Sequence, residues 1–207
     1  MPHYYSEEQI TEFELFLVKT VLRGHIFEFL TASGVFSYKK VDLGTRLLVE
    51  TMEIPNEGTF LDLGCGYGVI GIVAAKINER LHVIMTDINR RAVMLARENA
   101  KRNGVRNVKV IQGDLYEPVR GMKFNAIVSN PPIHKGLDTV IKLIKLAPIH
   151  LKNGGTLQIV AKRNKGAERI MKFMEETFGN LEILAKKKGY FVFLSRLCEA
   201  PLSKPMS

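Results

Sequence analysis

A chain of 207 residues, 46% hydrophobic and 25% charged, can bury a sizeable core and is too mixed in composition for a disordered or fibrous protein. Its two cysteines exclude a disulfide scaffold, and charges interrupt every apolar run before it reaches membrane-spanning length. The formal net charge of +9 favours polyanionic partners, nucleic acid first, although a lysine-rich solvated surface also accounts for it.

The opening residues, MPHYYSEEQITEFE, are acidic and lack the basic-then-apolar pattern of a secretion signal. A cytoplasmic protein is therefore expected. FELFLVKTVLRGHIFEFLTAS is rich in β-branched and aromatic residues and is broken at RGH, which predicts a β-hairpin turning at Gly24. GVFSYKKVDLGTRLLVETM follows, and its second half predicts a short helix opened near Asp42 or Gly44.

From residue 59 strands and helices alternate. TFLDLG, LHVIMTD, NVKVIQGD, FNAIVSN and TLQIVAK read as strands. YGVIGIVAAKIN, NRRAVMLARENAKRNG and GAERIMKFMEETFG read as helices, the second closed by Gly104. LDTVIKLIKLAPIHLKNGG is expected to be one helix stopped by its glycine pair. LEILAKKKGYFVFLSRL is expected to close the chain as a hairpin turning at Gly189. The alternation predicts an α/β fold: a mostly parallel, Rossmann-like sheet with helices on both faces, an antiparallel edge strand, and the N-terminal hairpin as an extension. Residues 201–207 are expected to fray.

LDLGCGYGVIG, residues 61–71, runs from strand through glycine loop to helix. Gly64, Gly66 and Gly68 would let the backbone approach a ligand at a helix N-terminus. By itself this serves nicotinamide, flavin and S-adenosylmethionine (SAM) binders alike. Asp62, placed before the glycines, would repel a pyrophosphate and attract the ammonium of a methionine moiety. Asp87 ends the next strand, where it could accept both ribose hydroxyls. Asp114 is expected to end the third, where it could accept from an adenine amine. Each acid alone could be a helix cap or a loop residue.

SNPPIHKG, residues 129–136, follows the strand FNAIV. Pro131 and Pro132 cannot continue a sheet ladder and stiffen the chain just where Asn130 leaves the strand. N-P also opens turns. An exocyclic amine is a poor nucleophile because its lone pair is delocalised. The Asn130 side-chain oxygen and the Pro131 carbonyl could each accept one N–H, aiming the lone pair at a methyl donor.

Together the glycine loop, Asp87, the GD pair at 113–114 and SNPP resemble the motifs of class I SAM-dependent methyltransferases that act on an amine or amide nitrogen. SGVFSYKKVDLGTRLLVE, residues 33–50, and the extended NPPIHKG sharpen the resemblance to small-domain methyltransferases related to the small-subunit ribosomal RNA guanine-N2 methyltransferases. The resemblance implies a catalytic pair, Asn130 and Pro131. It implies SAM as cofactor, held by Asp62, Gly64, Cys65, Gly66, Gly68, Asp87, Ile88, Asp114, Leu115, Asn130 and Thr45. It implies acceptor contacts from Phe36, Tyr38, Lys40, Pro132, Ile133, His134, Lys135 and Arg163, and no metal. Phe36 and Thr45 are also explained as core packing and a helix start. On this reading residues 1–43 form a hairpin extension and lid, and 44–200 the methyltransferase domain.

The residue after NPP is usually aromatic in that family and is Ile133 here, so either stacking on a base comes from Phe36 or Tyr38 or the acceptor is held more weakly, and the identity of the base stays open. Bacterial relatives carry an additional methyltransferase-like half. RNA selection by a monomer or homodimer of this chain is therefore expected to rest on the hairpin, surface charge or the dimer. KRNK, residues 162–165, is expected on the rim of Asn130, where phosphates could be positioned. KKK, residues 186–188, is expected at the opposite end of a strand as a solvated run. The expected activity is formation of N2-methylguanine in small-subunit ribosomal RNA. An adenine amine or a protein glutamine amide is the alternative acceptor. A nicotinamide-dependent oxidoreductase leaves NPP and Asp114 unexplained, and a non-catalytic RNA-binding protein on the same fold predicts no methylated product.

Overall fold

The computed structural model describes residues 14–35, 37, 39–133 and 136–198. Phe36, Tyr38, His134, Lys135 and the 201–207 tail lie outside the described residues. β1 (Leu15–Leu22) and β2 (His25–Ala32) form the expected hairpin. Its two-residue turn places Arg23 and Gly24 at φ +47° and +79°, the doubly left-handed geometry that matches strand twist. Arg23 tolerates this conformation because its guanidinium donates to the Val49 and Met52 carbonyls at the end of α1 (Leu43–Thr51).

A seven-stranded sheet follows, built from β3 (Gly58–Leu63), β4 (Leu81–Asp87), β5 (Val108–Gln112), β6 (Phe124–Ser129), β7 (Leu151–Lys162), β8 (Glu182–Lys187) and β9 (Tyr190–Arg196). Their order is β5-β4-β3-β6-β7-β9-β8. The first five are parallel; β9 runs antiparallel between β7 and β8, so the antiparallel pairing occupies one edge. The mostly parallel α/β sheet with an antiparallel edge is the architecture the sequence pattern predicts.

Both faces are covered, so alternate residues of each strand enter different cores. Phe60, Met85, Val128 and Val192 join the hairpin, α1, α2 (Val69–Ile77) and α3 (Arg90–Arg102) on one face. Leu61, Ile84, Ile127 and Phe193 face α4 (Leu137–Leu146) and α5 (Ala167–Phe178) on the other. The hairpin shares the first core through Leu22, Phe27 and Phe29, all essentially inaccessible.

Asn99 of α3 and Asn103, which caps that helix, pin the hairpin. Asn99 exchanges hydrogen bonds with the backbone N–H and C=O of Leu30, at 2.6 and 2.8 Å, and Asn103 does the same for Glu28, at 3.1 and 2.9 Å. Spaced four residues apart, they lie on one helix face and satisfy the free edge of β2 as a neighbouring strand would. Asn99 also donates to the Tyr67 carbonyl at 2.8 Å, tying the hairpin to the glycine loop.

Three local expectations are corrected. The helix predicted over 137–155 ends at Leu146, a 3-10 turn spans Ala147–His150 with Pro148 in it, and β7 starts at Leu151. Proline lacks the N–H that would extend the helix; Gly154, at φ +73°, instead lies within β7, beside a shift in the β6–β7 register. β5 ends at Gln112 rather than Asp114, with Gly113 N–H still bonded to the Asp87 carbonyl at 3.0 Å. The run Lys186–Lys188 lies on the Asn130 rim, not the opposite one. β9 pairs antiparallel with β7 through Lys162 and Tyr190, which brings the β8–β9 turn to the carboxyl end of β7.

Candidate active site

The carboxyl ends of β3, β4 and β6 meet at one rim, where the strand order reverses between β3 and β6. Ligands of open α/β sheets bind at such a switch point. The glycine loop leaves β3 there. Gly64 and Gly66 take φ +77° and +56°, and a side chain at either would meet no atom within 4 Å. Their lack of side chains therefore serves backbone conformation and open space above the loop rather than internal packing. Gly68 opens α2, and Gly71 is a different case: a Cβ there would lie 2.4 Å from Met85 Sδ. Gly71 belongs to the loop's support, and the sequence reading did not single it out.

Asp62 and Asp87 brace this loop. Asp62 is fully buried; its Oδ2 accepts from Gly71 N–H at 2.8 Å, and its Oδ1 has no hydrogen-bond partner among the described residues. Burial raises its pKa to about 7, the Asp87 charge adds to the rise, and the Gly71 N–H opposes it. Asp87 accepts from Gly66 N–H and Asn89 N–H, both at 2.8 Å. A buried carboxylate with an unspent oxygen beside an open glycine cradle fits a cationic ligand group. Cys65 lies between them, and burial with the two acids pushes its thiol well up. It is a neutral packing residue rather than a nucleophile.

At the end of β6, Ser129 Oγ donates to the Leu63 carbonyl at 2.7 Å and locks the two strand ends together. Asn130, the next residue, donates from Nδ2 to Thr45 Oγ1 at 2.8 Å and to Asp42 Oδ2 at 3.4 Å. Thr45 Oγ1 in turn donates to Asp42, whose carboxylate caps α1 by accepting from Gly44 and Thr45 N–H. The start of α1 therefore sets which way the Asn130 amide faces. Its bonds among the described residues all use Nδ2, so Oδ1 retains its acceptor capacity. Pro131 is buried, and its carbonyl accepts from Ile133 N–H at 2.8 Å, leaving one lone pair. Sequence reasoning took Asp42 only as a helix opener. The signal was the D-x-G-T spacing of an N-cap, but nothing local ties it to Asn130.

The remaining candidates spread around this rim. Ile88 is 65% exposed just past Asp87, with its carbonyl held by Gln112. Asp114 is half-buried two residues beyond β5, and Leu115 beside it sits at φ +44°, a conformation that costs a branched residue about 1 kcal/mol. Ile133 packs on the α4–α5 core, and Pro132 is exposed. Lys40 and Arg163 are exposed; Ser37 Oγ donates to the Lys40 carbonyl at 2.7 Å. A surface cleft beside Arg23, Pro55, Asn78 and Arg80 opens at the opposite, amino rim and shares none of these residues.

Residues 26–194 match the model of the "Methyltransferase small domain" family. The chain is similar to "Uncharacterized protein YbxB" of Bacillus subtilis (strain 168), 40% identical over 196 residues, covering 94% of this chain and 98% of that protein. It is also similar to "Ribosomal RNA small subunit methyltransferase C" of Haemophilus influenzae (strain 86-028NP), 38% identical over 164 residues, 77% of this chain and 48% of that protein. Among solved structures, the T. thermophilus 16S rRNA N2 methyltransferase RsmC, in complex with AdoMet and guanosine, superposes with a TM-score of 0.79. That match has 25% identity and covers 89% of this chain and 50% of that one. The chain thus spans about half the length of the methyltransferase C relatives it matches. With the glycine cradle, the unspent Asp62 oxygen and a family match across both, the chain belongs to the methyltransferase small domain family and is a SAM-dependent methyltransferase.

Proposed function

We propose that this methyltransferase forms N2-methylguanine in small-subunit ribosomal RNA, by direct methyl transfer to the exocyclic amine of a base held out of its stack. The observation that carries the reading is the fixed orientation of Asn130: Thr45 and Asp42 take its Nδ2, which leaves Oδ1 to accept one amine N–H. The second lone pair of the Pro131 carbonyl accepts the other. Two acceptors on a stiff backbone favour a pyramidal nitrogen and direct its lone pair without reorganisation. When bound, SAM supplies an electrophilic methyl group on a sulfonium. Asp62 would hold its ammonium, and Asp87 its ribose hydroxyls. The nitrogen becomes acidic as it is alkylated and releases a proton to water, so the site needs no strong base. Similarity to T. thermophilus RsmC, solved in complex with AdoMet and guanosine, supports guanine over adenine or a glutamine amide.

The test is methyl-labelled SAM with unmodified small-subunit ribosomal RNA, free and in assembled subunits, followed by nucleoside chromatography. Label is expected in N2-methylguanosine. Asn130→Ala is expected to bind SAM normally and lose at least ~100-fold in turnover. Label in methyladenosine would replace the base, and full turnover in Asn130→Ala would overturn the role of that residue.

A further inference from the structure

We propose that the end of β7 and the β8–β9 hairpin form the surface that docks a single-stranded RNA segment beside the acceptor base, with Lys186, Lys187 and Lys188 as phosphate contacts. The inference rests on the reading that the acceptor is RNA. Along the rim, Asn130 follows β6, Lys162 ends β7, Tyr190 starts β9 and Lys187 ends β8. Three strand steps of ~4.8 Å, with an offset of two residues along β7, place the lysine run about 16 Å from Asn130, a distance a few nucleotides span. Arg163 N–H donates to the Gly189 carbonyl at 2.8 Å, which joins the two basic segments into one surface.

Arg163, Lys165 and Lys186–Lys188 are exposed, and no residue of this set takes part in an ion pair among the described residues. The carboxylates nearest in the chain are Glu168, in the first turn of α5, and Glu182, which starts β8 at the end of that strand away from the lysine run. An aromatic ring accompanies the cations on each side of the rim: Lys162 Nζ is 5.5 Å from the half-buried Tyr190 ring on the first core's face, and Lys186 Nζ is 5.2 Å from that of Phe191 on the second's. Cations interleaved with ring faces suit phosphates and unstacked bases together, and they suit an acidic protein less well. The Tyr190 ring also packs against Gly44, at the start of the helix that orients Asn130.

Lys188 adds a second, independent observation. It occupies the first turn position at φ +49°, where asparagine or glycine is preferred. Arg23 holds the equivalent place in the first hairpin and uses its side chain to tie α1. Lys188 makes no hydrogen bond or ion pair to the described residues that accounts for a strained cation there. Phosphate contact accounts for it.

The experiment measures binding of a labelled single-stranded oligoribonucleotide across a salt series, for the wild-type protein and for Lys186→Gln/Lys187→Gln/Lys188→Asn. Lys101→Gln/Arg106→Gln/Lys123→Gln gives a charge-matched control on the opposite rim. The hairpin variant is expected to raise the RNA Kd about tenfold or more and to flatten the log–log salt slope by about 2. SAM affinity is expected to stay unchanged, since asparagine suits the turn. Lys187→Gln/Lys188→Asn, which keeps Lys186 over Phe191, is expected to flatten the slope by about 1 and guards against misfolding of the triple variant.

Wild-type affinity in both hairpin variants, or an equal loss in the control, would overturn the surface while leaving RNA methylation intact. Polyglutamate competing as well as RNA would overturn the choice of partner. A wild-type protein that binds no RNA would overturn this surface and the RNA acceptor together.

Discussion

Asn130, Thr45 and Asp42 are joined by hydroxyl, amide and carboxylate contacts in which each donor has a defined acceptor. The family resemblance implies a SAM contact for Thr45; the geometry gives its hydroxyl to Asn130 and Asp42. The two roles separate experimentally. If Thr45 positions Asn130, Thr45→Val lowers kcat roughly ten- to a hundred-fold with little change in SAM affinity. Thr45→Ser, which keeps the hydroxyl, restores most of it. A weaker SAM Kd at near-normal kcat would assign Thr45 to the cofactor instead. Titration calorimetry with SAM and steady-state methylation of the same RNA measure both quantities.

At the scale of elements, the N-terminal hairpin is seated on the rest of the molecule through α3. Asn99 is fully buried and serves the Leu30 N–H, the Leu30 carbonyl and the Tyr67 carbonyl. Asn99→Ala leaves three backbone groups without that partner. Buried unsatisfied groups cost about 1–3 kcal/mol each, less where water can enter. A loss of about 2–3 kcal/mol in urea unfolding is expected, with weaker SAM binding because Tyr67 belongs to the glycine loop. Unchanged stability would mean that apolar packing of Phe27 and Phe29 alone seats the hairpin. The hairpin itself was legible from RGH between two β-branched runs. Its seating was not, because asparagines in an amphipathic helix look like a solvated face until β2 is placed against them.

For the molecule as a whole, Asp62 couples the candidate cofactor site to global stability. Its pKa rises from 3.8 to about 7 on folding, so between those values the folded state holds a proton that the unfolded state has released. Linkage then makes stability fall as pH rises from about 4 to about 7 and level off above. Asp62→Asn keeps the Gly71 N–H acceptor and carries no charge. The variant is expected to gain stability relative to wild type across that window, most of it by pH 7, when chemical unfolding is followed without SAM. Saturating SAM is expected to shrink the difference, because its ammonium favours the ionised carboxylate. A difference independent of pH would show that Asp62 is already ionised in the protein alone. No helix among the described residues is long and apolar enough to cross a membrane.

What the sequence by itself determined was local. Periodicity assigned the alternating strands and helices, and the glycines at 64, 66 and 68 marked the turn between β3 and α2 as the candidate cofactor loop. NPP marked Asn130 because backbone stiffness and left-handed turns are properties of a few adjacent residues. Tertiary structure alone decided which distant groups meet. Asp42 and Asn130 lie 88 positions apart, and a capping carboxylate carries no local sign of its second partner. Helix 137–155 was overextended because its apolar spacing continues past Pro148, and only pairing with β6 shows that residues 151–155 belong to a strand. The lysine run 186–188 was legible as a turn, yet its rim follows from β9 pairing antiparallel with β7. Strand order is settled by burial of both sheet faces at once, and no window of neighbouring residues contains it.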